Sequence, residues 1–175
     1  YKEFANSTKA LACITKESLI KYLPSKCIKI TNDNVLLLTA KITEKFYPNS
    51  ITDENNYDMK PINEKFKNIP SCQNTFVGSN VKIGENTKIG HNTIIERNVV
   101  IGNNCFIGSN VILRNTFLED NVHVLDGAVV GKKGFGFIPK KLKNYKYPHI
   151  GYVVLKKNSE IGSCSTIDRG SLSYT

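Results

Sequence analysis

The chain has 175 residues, 40% of them hydrophobic, and a formal net charge of +9. That length suits one good core, or a small domain beside a repeat array, and the composition is that of a folded rather than a disordered chain. No apolar run approaches a membrane span, no signal peptide is visible, and the five cysteines (Cys13, Cys27, Cys72, Cys105, Cys164) are scattered without metal-ligand spacing, which fits a reduced cytosol.

Residues 1–47 read as a small α/β unit. Ala10 to Ile14 forms an apolar strand candidate, Glu17 to Leu23 has helical spacing and stops before Pro24, and Cys27 to Ile30 is a second short strand. Asp33 is the expected N-cap of a helix reaching Phe46, with Leu36, Leu37, Ala40 and Lys41 on one face and Pro48 as the stop. So few elements read as part of a domain rather than a whole one. Residues 48–70 carry Pro48, Pro61 and Pro70 and few aliphatics, and are expected to be a linker wrapping the first coil.

From residue 71 onward a period of six takes over. Val77, Ile83, Ile89, Ile95, Ile101, Ile107 and Leu113 recur at that interval, and Gly follows five of them: Gly78, Gly84, Gly90, Gly102 and Gly108. Asn80, Asn86, Asn92, Asn98, Asn104 and Asn110 stand three places after, and small or β-branched residues stand four after. A period of six fits neither a helix nor a simple hairpin. It predicts a β-solenoid in which each hexad gives a short strand with one aliphatic inward, then a turn whose Asn accepts a left-handed backbone. Three hexads make a coil, and stacked coils bury a column of aliphatics. The spacing slips by one at Leu118, returns at Val124 and Val130, and stops at Gly131. Residues 132–152 form an excursion before the hexads resume at Leu155, Ile161 and Ile167. A stretch expelled from a solenoid is a usual place for function.

Charge follows this division unevenly. Residues 1–69 carry eleven lysines against eight acids, and residues 70–175 carry 13 Lys and Arg against seven acids. Eight lysines and no acid lie between Lys132 and Lys157. Nucleic acid, an acidic protein and anionic lipid are all candidate partners for such a patch, beside a merely solvated loop; no stacking aromatics of an RNA motif accompany it.

Residues flanking the inward position point outward, and places 18 apart share a face. One face carries Phe76, Ile94 and Ile112, with Val129 joining after the slip. On it Glu96 and Arg114 replace the usual glycine one coil apart, close enough to pair at an inter-strand spacing of roughly 4.8 Å. Phe76, Ile94, Ile112, Glu96 and Arg114 are therefore the expected subunit interface, with a cover of residues 48–70 as the alternative.

The stretches Gly134-Phe-Gly-Phe, Pro148-His-Ile-Gly-Tyr-Val-Val-Leu and Ser165-Thr-Ile-Asp-Arg-Gly-Ser-Leu resemble UDP-3-O-acylglucosamine N-acyltransferases, a hexapeptide-repeat family of lipid A biosynthesis. Thr8-Lys-Ala-Leu-Ala-Cys-Ile and Phe46-Tyr-Pro are similar to the later part of that family's uridine-binding domain. The resemblance implies a left-handed parallel β-helix behind part of a small α/β domain. It implies a homotrimeric enzyme of the Gram-negative cytoplasm, moving a 3-hydroxyacyl group from acyl carrier protein to the 2-amine of a UDP-sugar lipid, without cofactor or metal. The general rule for parallel crossovers would give the opposite hand. The family's base histidine, in an Ile-Ala-His-Asn segment, falls beyond Thr175, and its uracil-stacking segment falls before Tyr1. The chain, which starts at Tyr1 and stops inside a repeat, thus reads as an inactive piece with no catalytic residue of its own.

His91, His123 and His149 are accordingly not assigned to catalysis. Phe135, Phe137, Asp168 and Arg169 are the substrate-binding candidates: the phenylalanines shield an acyl chain or anchor the loop, and the charged pair holds substrate or a neighbouring subunit, or ties a coil edge. Lys133 stands where the family commonly has Asp. Gly134 and Gly136 lack the strand–helix context of a phosphate cradle. Competing readings are a sugar O-acyl- or N-acetyltransferase using coenzyme A, a zinc-dependent carbonic anhydrase of the same repeat class, for which the three histidines are unevenly placed, and a non-enzymatic solenoid, which would need a regular outward Thr array.

Overall fold

The computed structural model describes residues 2–69 and 73–175. Pro70 and Cys72, and with them the expected start of the solenoid near Cys72, lie outside the described residues.

The chain opens with helix α1 (Lys2–Asn6), strand β1 (Ala12–Thr15), a 3-10 turn at Glu17–Tyr22, strand β2 (Ile28–Thr31) and helix α2 (Val35–Phe46). β1 and β2 pair in parallel, Ala12 against Ile28 through Thr15 against Thr31. The segment expected as a helix from Glu17 is 3-10 because only six residues separate Lys16, which makes no side-chain cap, from Leu23. The N-cap of α2 is Asn34, not Asp33: its Oδ1 accepts from Leu37 N at 3.0 Å. Of the face expected from sequence Ala40 is buried, beside Thr43, while Leu36 and Lys41 are exposed.

Inside the expected linker lie strand β3 (Lys60–Pro61) and helix α3 (Ile62–Lys65). Polarity hid them. Ile62 is nonetheless 2% exposed, and Phe66 and Ile69 pack beside it on the solenoid core. A repeat array needs its open end covered, and this linker supplies the apolar plug.

The hexads then give β4 (Phe76–Val77), β5 (Lys82–Ile83), β6 (Lys88–Ile89), β7 (Ile94–Ile95), β8 (Val100–Ile101), β9 (Phe106–Ile107), β10 (Ile112–Leu113), β11 (Thr116–Leu118), β12 (His123–Val124) and β13 (Val129–Lys133). A hairpin of β14 (Phe137–Ile138) and β15 (Tyr145–Lys146) intervenes, followed by β16 (Val153–Leu155), β17 (Glu160–Ile161) and β18 (Thr166–Arg169). The strands fall into three sheets visited in rotation: β3-β4-β7-β10-β13-β18, β5-β8-β11-β16 and β6-β9-β12-β17. Every pairing within them is parallel except β3 with β4. Val77, Ile95, Ile101, Ile107, Leu113, Val124 and Val130 form one buried column, as the period of six requires.

Asparagines close the turns. Asn80, Asn86, Asn92, Asn98, Asn104 and Asn110 all have φ between 54° and 62°. Their amides stack along the axis, Asn80 Nδ2 donating to Asn98 Oδ1 at 3.3 Å and Asn86 to Asn104 likewise. Where Thr replaces an aliphatic inside, its hydroxyl is satisfied: Thr87 donates to Gly102 O and Thr93 to Gly108 O.

The chain divides into two compact units. One runs up to Pro48 and includes Gly136–Pro148; the other holds Asn49–Phe135 and His149–Thr175. The middle of the excursion, read from sequence as a loop of the solenoid, therefore belongs with the N-terminal elements. Its anchor is Tyr145, whose hydroxyl donates to Glu44 Oε2 on α2.

Candidate functional site

Excursion and resumption meet in one sheet. β13 runs three residues past its inward Val130 and pairs with β18, Lys132 opposite Asp168 and Lys133 opposite Arg169, across a bulge at Gly131. Only glycine fits there: its φ is +82°, and a Cβ would lie 1.5 Å from Arg114 O. The bulge turns the chain outward towards Gly134, and that glycine is held as closely. A Cβ on it would come within 2.9 Å of His149 Nε2 and 3.5 Å of Asp168 Oδ2. Gly134, His149 and Asp168, distant in sequence, thus converge at one point beside the two paired strands.

Next to this point lies a charged corner. Arg114 Nη2 meets Glu96 Oε1 at 2.8 Å, which is the pairing expected of these two positions. The linker adds to it: Asp53 Oδ2 lies 3.5 Å from Arg114 Nη1, Asn55 Oδ1 accepts from Arg114 Nη2 at 2.7 Å, and Arg169 Nη2 lies 3.9 Å from Asp53 Oδ1. Lys133 N donates to Asp53 Oδ2 at 3.4 Å. Asp53 holds a left-handed backbone with φ 54°, a conformation that costs a non-glycine residue about 1–3 kcal/mol and persists where its surroundings impose it.

Glu96 and Arg114 are 9% and 6% exposed. Burial pushes the Glu96 carboxyl above the usual glutamate range, against the opposing pull of Arg114. Burial likewise lowers the Arg169 guanidinium, with Asp53 acting the other way. Among the described residues, Nε of Arg114, Nε of Arg169 and Nδ2 of Asn56 are buried without a hydrogen-bond partner. Each such donor costs about 1–3 kcal/mol. One coil to either side, the same face keeps a plain glycine at the equivalent step, at Gly78 and Gly131. The corner therefore spends stability to pin residues 53–56 onto β18. With two guanidinium groups against two carboxylates it is charge-balanced, and it positions chain segments rather than attracting an ion.

The other candidates are dispersed. Phe135 is 94% and Phe137 44% exposed. Arg169 pairs with Asp53 and not with its neighbour Asp168. Phe76 is 38% exposed and Ile94, Ile112 and Val129 are partly exposed, so the linker covers the Glu96–Arg114 corner but not the whole apolar stripe. His91 is a turn residue whose Nδ1 accepts from Gln73 N at 3.0 Å. His123 stands on an outer face, edge-on to Phe106 at 6.0 Å and 3.8 Å from Glu160. Asp53, Asn55 and Asn56 were invisible from sequence, since nothing in a polar linker marks which residue meets a coil 40 or more positions away. The one signal was the pair of charges at glycine positions, which had to find partners.

Parallel rungs of this kind, broken by one expelled hairpin, define a class of repeat protein. Residues 80–115 match the family described as bacterial transferase hexapeptide, six repeats. Closer relatives carry a more particular name. Sixty residues of this chain are 48% identical to the UDP-3-O-acylglucosamine N-acyltransferase of Rickettsia massiliae, covering 34% of this chain and 17% of the relative. The protein of the same name from Rickettsia felis is 50% identical over 60 residues, 34% of this chain and 17% of the relative. UDP-3-O-acylglucosamine N-acyltransferase 2 of Legionella pneumophila subsp. pneumophila is 41% identical over 63 residues, 36% of this chain and 18% of the relative. The matched stretch thus spans less than a fifth of each relative's length.

Proposed function

We propose that this chain is part of an N-acyltransferase that moves a 3-hydroxyacyl group from acyl carrier protein to the 2-amine of UDP-3-O-acylglucosamine, in the bacterial cytoplasm. The observation that carries the reading is the pairing of Lys132 and Lys133 with Asp168 and Arg169 beside Gly134. It makes neighbours of the two stretches on which the resemblance rests, and the names of the relatives point the same way. The repeat class supports a left-handed β-helix as the scaffold.

In this reading the acceptor amine attacks the acyl carbonyl, a histidine takes the amine proton, and backbone donors hold the oxyanion until the carrier leaves. That histidine is assigned to an Ile-Ala-His-Asn segment of the longer protein. The contribution of this chain is placement: the Asp53–Arg114–Arg169 corner fixes β18, and Phe135 and Phe137 are assigned to the acyl chain. Sites lie between subunits of a homotrimer that meet through Phe76, Ile94 and Ile112, with Glu96 and Arg114 behind them.

The test is acyl transfer by the longer protein, offered 3-hydroxyacyl carrier protein or acetyl-CoA with the UDP-sugar acceptor. Turnover with the carrier protein is expected, and none from residues 1–175 alone. Turnover with acetyl-CoA and not with the carrier would overturn the reading in favour of a coenzyme A-dependent sugar acyltransferase.

A further inference from the structure

The positive charge does not belong to the solenoid. The unit built from the N-terminal elements and Gly136–Pro148 holds twelve lysines against four acids, a net +8 of the chain's +9. The solenoid unit is close to neutral. Within the charged unit, the hairpin tip reads Pro139-Lys-Lys-Leu-Lys-Asn, with every one of these residues exposed. Leu142, at its centre, is 101% exposed, the full extent of an unfolded chain. Among the described residues no ion pair involves Lys140, Lys141, Lys143 or Lys146.

The tip is held out, not merely loose. β14 and β15 pair through Phe137–Lys146 and Ile138–Tyr145, Tyr147 N donates to Gly136 O at 2.9 Å, and the Tyr145 hydroxyl is tied to Glu44. Lys41 and Lys45 of α2 flank Tyr145. A fully exposed leucine ringed by lysines, on an anchored hairpin, is unfavourable in water and favourable where an apolar layer lies under an anionic one.

We infer that the tip at residues 140–143 docks the protein peripherally on an anionic lipid surface, Leu142 entering the acyl-chain boundary while the lysines meet lipid phosphates. No helix among the described residues is long and apolar enough to cross a membrane. Lipid is favoured over nucleic acid because all twelve cations of this unit are lysine, without the arginine fork or a base-stacking aromatic at the tip. It is favoured over an acidic protein because a lone aliphatic among charges offers no contiguous apolar patch to fill a partner's pocket. Binding is read without turnover, so the inference goes beyond the proposed acyl transfer and stands or falls apart from it.

The test is co-sedimentation of the full-length protein with vesicles of phosphatidylglycerol and phosphatidylcholine, against phosphatidylcholine alone. Retention on the anionic vesicles only, weakening with salt, is expected. The variant with Lys140→Gln, Lys141→Gln and Lys143→Gln should lower the partition coefficient about a hundredfold, and Leu142→Ser about tenfold. Lys82→Gln, in the solenoid unit, should leave it unchanged, and unaltered circular dichroism establishes that the tip variants are folded. Equal retention by neutral vesicles, unchanged retention of the tip variants, or capture by RNA or acyl carrier protein without capture by anionic vesicles would overturn the inference.

Discussion

Asn98 shows what a single residue does in this fold. Its φ of 62° is reached by glycine freely and by asparagine more cheaply than by other side chains, and its amide accepts from Asn80 above. Asn98→Ala should cost about 1–2 kcal/mol in urea unfolding, whereas Asn98→Gly should cost distinctly less. Glu96 gives a pH signature. Its carboxyl is raised by burial, so the folded chain holds the proton more tightly than the unfolded chain does. The stability it contributes is present below the ordinary value of 4.5 and is lost as pH rises through its folded value. Glu96→Gln should abolish that loss, so its stability relative to the parent, read from urea unfolding at a series of pH values, should improve as pH is raised from 4 towards neutrality. The six turn asparagines were readable one by one from sequence, because each answers to its own backbone angle. The partners of Glu96 and Arg114 were only half readable: their mutual contact follows from the 18-residue coil, but Asp53 reaches them through a linker with no periodicity to count.

At the scale of elements, the rungs divide into an inside and an outside. Ile107 is 0% exposed, and Ile94 lies on the outer face. Ile107→Ala should cost about 2–5 kcal/mol and Ile94→Ala about 1 kcal/mol or less, measured on the same unfolding curves. The hairpin obeys a different rule, since a contact of Tyr145 with Glu44 on α2 ties it down, where the rungs are held by stacking. Tyr145→Phe should cost about 1 kcal/mol and speed amide exchange across β14 and β15. The Tyr145 hydroxyl is pushed up to about 12 by burial and by Glu44. The contribution of this contact is therefore complete below pH 10 and is lost as pH rises through about 12. The long rungs were legible because seven repeats in register average out local ambiguity. The N-terminal elements shifted by one or two residues, and α3 went unseen, because a short element is decided by what it packs against. Ile62 plugs the solenoid end without any pattern of its own.

At the scale of the molecule, the apolar stripe and the charge point outward in different ways. If copies of the longer protein meet through Phe76, Ile94 and Ile112, then Ile94→Lys with Ile112→Lys should move sedimentation from trimer to monomer while leaving circular dichroism unchanged; a parent that already sediments as a monomer removes that interface. From sequence, the excess charge divided as +3 and +6 between the two halves of the chain. The compact units redistribute it as +8 on one and +1 on the other. By itself the sequence determined the repeat: which aliphatics point in and where the backbone turns left-handed. These are local consequences of an 18-residue period, and any stacked coil must satisfy them. Only the tertiary structure decided that the lysine-rich hairpin joins the N-terminal unit, and that residues 53–56 lock the corner beside Gly134. Both rest on contacts between segments far apart in the chain, such as Tyr145 with Glu44 and Asp53 with Arg114, and such contacts are chosen by the free energy of the folded whole and not by any local pattern.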